Sequence, residues 1–200
     1  PSGCIMGLIG ENGAGKSTTI KLILDLIRRD GGEISILGSD LKSGGKRLRE
    51  QIGVVMDESG FPDNLSAFDI GKIMKNCFET WDSAVFSSYV EKFRLPPRKP
   101  VKAYSRGMKM KLSIAVALSH GSRLLILDEA TSGLDPIVRD EILDVFLEFI
   151  QDETHSILIS SHILSDLEKI CDFITFIHRG KIVFSEPKDE LTQKYVLVKS

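Results

Sequence analysis

The chain has 200 residues, enough for one domain with a real core. Hydrophobic residues make up 42% and charged residues 27%, which excludes a disordered or fibrous chain, and a formal charge of −2 gives no electrostatic case for a nucleic-acid partner. Three scattered cysteines, Cys4, Cys77 and Cys171, speak against a disulfide framework or zinc site and fit a reducing cytoplasm.

No apolar run approaches the ~18 residues needed to cross a bilayer, and no signal peptide is expected. A transport role would therefore need a separate membrane-embedded partner. Residues 4–9 read as a short apolar strand that runs straight into a glycine-rich turn. From Lys16 onward, Ile20, Ile23, Leu24 and Ile27 fall at helical spacing, and Gly31 and Gly32 are expected to stop that helix. Residues 33–37 and 52–56 read as further strands. Between about 60 and 120 the pattern changes to two or three helices with no convincing strand. Ser66, with Asp69 three residues on, fits a capping box that opens a helix carrying Ile70, Ile73, Met74 and Cys77 on one side. The proline-rich step at 95–100 breaks the helices.

Residues 123–127 form a buried parallel strand by their unbroken apolar run. Residues 157–160 and 173–177 repeat that pattern, and the second of these turns at His178, Arg179 and Gly180 into residues 181–184. A helix over about 136–150 lies between two of the strands, with Asp135 as N-cap and Pro136 at its first position. Strands and helices alternate as in an α/β parallel sheet, with the helical subdomain of about 60–120 inserted in one domain spanning 1–200.

Residues 10–17 read GENGAGKS and match G-x-x-x-x-G-K-[ST] between a strand and a helix, the context that motif requires. The fold is thus a P-loop NTPase core. Glycines such as Gly13 and Gly15 let the backbone curl so that its N–H groups, Asn12 and Thr18 included, face phosphates at a helix start. Lys16 would reach the β- and γ-phosphates of ATP, and the Ser17 hydroxyl would ligate Mg²⁺. Asp128 and Glu129 follow a buried strand, at the sheet edge where ligands sit. Asp128 is placed to hold Mg²⁺, and Glu129 to orient and deprotonate an attacking water. His162 follows the strand of 157–160 and reads either as a γ-phosphate contact or as a satisfied loop histidine. Phe78 and Trp81 read as packing in the helical subdomain.

These segments, in this order, resemble the nucleotide-binding domain of ABC transporters over essentially the whole chain. The resemblance makes residues 10–17 the Walker A motif and residues 124–128 the Walker B motif, with Glu129 as catalytic carboxylate. Residues 132–135 resemble the D-loop, ending at Asp135, and residues 160–162 resemble the switch histidine, His162. Tyr104, Ser105, Arg106, Gly107 and Met108 occupy the place of the LSGGQ signature. The resemblance implies two such domains meeting head to tail around two Mg-ATP, as a homo- or heterodimer. Ser105 and Gly107 of one chain would then hold the γ-phosphate bound by the other. It further implies a transmembrane permease subunit driven by closing and opening, met by residues 57–80, and a location on the inner face of the membrane.

Three departures from the family pattern stand out. Asp57 takes the place of the Q-loop glutamine; shorter and charged, it would either serve the nucleotide site by binding Mg²⁺ more directly or fail to position the water. Arg106 and Met108 replace the first glycine and the glutamine of the signature. The family's first strands, with the aromatic residue that stacks on adenine, are expected before Pro1. The signature variant and residues 78–82 resemble bacterial exporters linked to antibiotic-peptide resistance. Two other readings are a soluble ABC ATPase acting in translation or DNA maintenance, and an ATP-gated subunit with weak hydrolysis.

Overall fold

The computed structural model describes residues 2–57 and 60–194. Residues 58 and 59, inside the 57–80 surface expected to meet the permease, lie outside the described residues. Strand β1 (Ile5–Ile9) is the apolar run expected near the start. It pairs in parallel with β6 (Ser156–Ser160) on one side and β7 (Phe173–His178) on the other. Beyond β6 come β5 (Leu124–Asp128) and β4 (Ile52–Val55), both parallel. Beyond β7 the chain folds back as β8 (Lys181–Pro187), antiparallel, with a bulge at Phe176 and Ile177. The sheet order is β4-β5-β6-β1-β7-β8.

Helices cover this sheet, which is why its central strands are apolar on both faces. Leu125, Ile126 and Leu127 of β5 are at most 1% exposed. Helix α1 (Lys16–Ile23) follows β1, and α6 (Pro136–Phe149) follows β5 with Asp135 accepting from the Ile137 N–H as its cap. Phe146, Ile142 and Leu143 of α6 are buried in the main core. Helix α7 (Leu164–Ile170) follows β6, and α8 (Lys188–Lys194) follows β8.

Between β4 and β5 lie α3 (Ala67–Cys77), α4 (Ser83–Lys92), a 3₁₀ turn (Val101–Ala103) and α5 (Arg106–Ala117). The capping box is present: Ser66 accepts from the Asp69 N–H, and Asp69 accepts from the Ser66 N–H. Helix α5 is buried along most of its length and packs against β4. A second anchor holds the far end of this layer. The buried Glu50 carboxylate accepts from the Glu79 and Thr80 N–H groups and from the Thr80 hydroxyl. The buried His120 ring stacks on Phe78 beside it, and its Nδ1 lies 3.0 Å from the Glu50 carbonyl.

Three local readings are corrected. Helix α1 stops at Ile23, well before Gly31: Leu26 N–H bonds back to Lys21 O, Asp25 N–H to Leu22 O, and Asp25 takes a left-handed φ of 56°. That is a Schellman stop made without glycine, and it leaves Leu26 62% exposed. Residues 33–37 give only the short β2 (Ser35–Ile36), hairpinned to β3 (Ser39–Asp40) away from the main sheet. Leu37 and Gly38 both have positive φ, the geometry of a tight primed turn. An unforeseen helix, α2 (Leu41–Glu50), follows, with a kink at Gly45.

Candidate functional site

The loop between β1 and α1 wraps the end of the central strand. Gly10 is needed for close approach, since a Cβ there would lie 2.4 Å from the Ile177 carbonyl. Gly15 supplies φ 113° at the N-cap of α1 and offers no side-chain cap. The first amides of α1 therefore have no side-chain cap, and a helix start of that kind, with its partial positive charge, favours an anion. Lys16, 6% exposed, folds back over the loop. Its ammonium donates to the carbonyls of Gly10 at 2.8 Å and Glu11 at 3.3 Å, and lies 3.6 Å from the Glu129 carboxylate.

Parallel pairing brings the ends of β5 and β6 beside this loop. Ser17 Oγ donates to Asp128 Oδ1 at 3.1 Å, and Ser160 Oγ donates to the same oxygen at 2.5 Å. Asp128 is thus a buried acceptor with two hydroxyls around it, 4% exposed. Glu129 breaks out of the strand with φ 53°, held there by its N–H donating to the carbonyl and hydroxyl of Ser160. His162 Nδ1 lies 2.7 Å from Glu129 Oε2 while its ring is half-exposed. The histidine therefore faces the carboxylate from its loop, a contact that both a γ-phosphate role and a satisfied loop histidine accommodate.

Asn12, Gly13, Gly15, Lys16, Ser17, Thr18, Asp57, Glu129 and His162 line one open pocket of about 350 Å³. Asp128 sits just beneath it through Ser17. Glu11 and Ser132 also line the pocket; the sequence placed them in the 10–17 loop and the D-loop-like segment without giving either a role of its own. Ser160, read only as the strand end that opens the 160–162 segment, is fully buried and touches both carboxylate residues.

Asp57 is at the pocket mouth, but its carboxylate is engaged by the Arg106 guanidinium and not by Ser17 or Asp128. Ser105, Gly107 and Asp135 do not line this pocket. Ser105 is exposed and caps α5 by accepting from the Met108 N–H. Gly107 abuts Val138 on α6, since a Cβ there would lie 3.0 Å from Val138 Cγ1. The starts of α5 and α6 thus pack together, and Arg106 at the first turn of α5 reaches back to Asp57 of the pocket lining. No helix among the described residues is long and apolar enough to cross a membrane.

The family described as ABC transporter matches residues 1–132. A lantibiotic transport ATP-binding protein of Streptococcus pyogenes is 39% identical across 94% of this chain and 81% of its own length. A bacitracin transport ATP-binding protein of Bacillus licheniformis is 38% identical across 96% of this chain and 63% of its own length. Among solved structures, an ATP-binding subunit of an ABC transporter superposes with a TM-score of 0.86 at 30% identity, covering 96% of this chain and 82% of that one.

Proposed function

The chain belongs to the ABC transporter family as an ATP-binding subunit, and from that premise we propose that it hydrolyses Mg-ATP to drive a separate membrane-embedded subunit. The observation that supports this reading is the meeting of Lys16, Ser17, Asp128, Glu129 and His162 at one sheet edge, within 2.7–3.6 Å of one another in successive contacts.

The proposed division of labour follows from charge and donor type. ATP would lie with its phosphates along the first amides of α1, and Lys16 would turn from its loop carbonyls to the β- and γ-phosphates. The Ser17 hydroxyl and Asp128 offer hard oxygens 3.1 Å apart, a set that suits Mg²⁺ sharing its other positions with phosphate oxygens and waters. The metal would supply charge stabilisation at the transferring phosphate. Glu129, released from Lys16 by the incoming phosphates, would orient water and take its proton. His162 would hold that carboxylate in line.

Head-to-tail pairing of two chains would bring Ser105 and the Gly107 amide of one against the γ-phosphate of the other, with Asp135 near the seam. The α5 N-terminus, capped by Ser105 and with Ser105 and Arg106 exposed, is suited to that role. The membrane partner's docking surface would be the apolar groove of about 490 Å³ between β4 and α3, where Val54 and Ile73 are 38% and 43% exposed. Such a groove fits an amphipathic helix. The relatives' names, lantibiotic and bacitracin transport, favour movement of antibiotic peptides as the work performed, with export as the proposed direction.

The test is the Mg-ATP hydrolysis rate per molecule across a protein concentration series. Activity that climbs with concentration and falls at least ~10²-fold in Glu129→Gln is expected. A rate independent of concentration would remove the two-chain site, and full turnover in the variant would move the general base elsewhere.

A further inference from the structure

By its place in the motif, Arg106 faces a partner chain's nucleotide; by its contacts, it serves its own. Its guanidinium donates to Asp57 Oδ1, 49 residues earlier in the chain. Both side chains are about half exposed, at 52% and 50%. The same guanidinium lies over the loop that follows β5, since a Cβ at Gly133 would sit 3.2 Å from Arg106 Nη1 and 3.3 Å from Cζ. Arg106 therefore joins three segments: the end of β4, the start of α5 and the loop leading to α6.

The charges around the mouth give this contact a purpose. Three carboxylates line the pocket, those of Glu11, Asp57 and Glu129. Glu129 is balanced by Lys16 and held by His162. Asp57 has neither of these neighbours, and its counterion is Arg106. A nucleotide entering with three or four negative charges would meet a bare Asp57 as repulsion. Beside Arg106 it meets half of a neutral pair.

We infer that Arg106 is a positioning residue for the nucleotide site of its own chain, holding Asp57 neutralised and turned aside at the pocket mouth. This rests on the reading of the pocket as an ATP site. It also explains why the two unusual residues occur together: either alone would leave a charge without a partner, one at the mouth and one beside the D-loop segment.

The experiment is a double-mutant cycle read by equilibrium dialysis of ATP, at protein concentrations too low for hydrolysis to climb. Arg106→Gln is expected to weaken ATP binding by about 3- to 5-fold, the upper range for an exposed pair, and less at high salt. Adding Asp57→Asn in the same chain is expected to restore the affinity, and Arg106→Lys to keep most of it. Unchanged binding in Arg106→Gln overturns the inference. So does a loss that persists in the double variant, since a merely structural arginine is not rescued by neutralising its partner. Thermal unfolding of each variant shows that it folds. Lys16→Ala run beside them separates the two levels: if it binds ATP normally, the pocket reading itself fails. If it loses ATP while Arg106→Gln does not, only the role of Arg106 fails.

Discussion

Glu129 carries its carboxylate on a backbone turned to φ 53°, a conformation that costs a non-glycine residue about 1–2 kcal/mol. Two hydrogen bonds from its N–H to Ser160 offset that cost and aim the side chain at Lys16 and His162. The strain lies where the chemistry is proposed, and nothing in a one-dimensional pattern of apolar residues announces it. Elsewhere a single buried group makes stability depend on pH. Burial pushes the His120 imidazole below its ordinary value of 6.5, so the folded chain keeps it neutral where the unfolded chain takes up a proton. Its contribution is intact above pH 6.5 and is lost as pH falls from there toward the lowered value. The melting temperature should therefore begin to drop just below that pH, and the drop should be shallower in His120→Gln. An equal slope in both proteins would mean that other groups control it.

Helix and strand ends show where local chemistry is legible and where it is not. Ser66 and Asp69 could be read directly, because a capping box is a four-residue signal satisfied within itself. Ser66→Ala should lower stability by about 1 kcal/mol, seen as a smaller denaturant midpoint with an unchanged slope. The central strands were equally plain, since a strand buried on both faces is apolar throughout. The end of α1 misled because Leu24 and Ile27 extend the helical spacing past Asp25, where backbone hydrogen bonds turn the chain without a glycine to mark the place. Helix α2 was hidden for the opposite reason. Gly44 and Gly45 are poor helix formers, and the chain accommodates them with a kink at Gly45.

For the molecule as a whole, the sheet order β4-β5-β6-β1-β7-β8 is what gathers the site. Segments more than a hundred residues apart meet because β5 and β6 stack beside β1 and end at the same edge. The Walker-type motifs could be recognised one by one, and their convergence followed from the resemblance. The contact between Asp57 and Arg106 followed from neither, because it depends on how α5 lies against the end of β4. A site built from so many segments should report its ligand globally. ATP at 100 times its dissociation constant would stabilise the fold by about 2.7 kcal/mol. For a chain of this size that is a rise in melting temperature of roughly 5–10 °C. The same rise in Lys16→Ala would show that the ligand binds somewhere else.

Lys16 adds one more consequence, concerning which anions the loop accepts. Its ammonium already has the Gly10 and Glu11 carbonyls and the Glu129 carboxylate as neighbours. An incoming anion must displace those oxygens, so the loop behaves as a threshold and not as a bare positive charge. A triphosphate chain can lie along the α1 amides and reach Lys16 together, whereas a single phosphate group has to choose. Inorganic phosphate should then compete poorly with ATP even in large excess, giving the pocket a preference for chain length before any base is read.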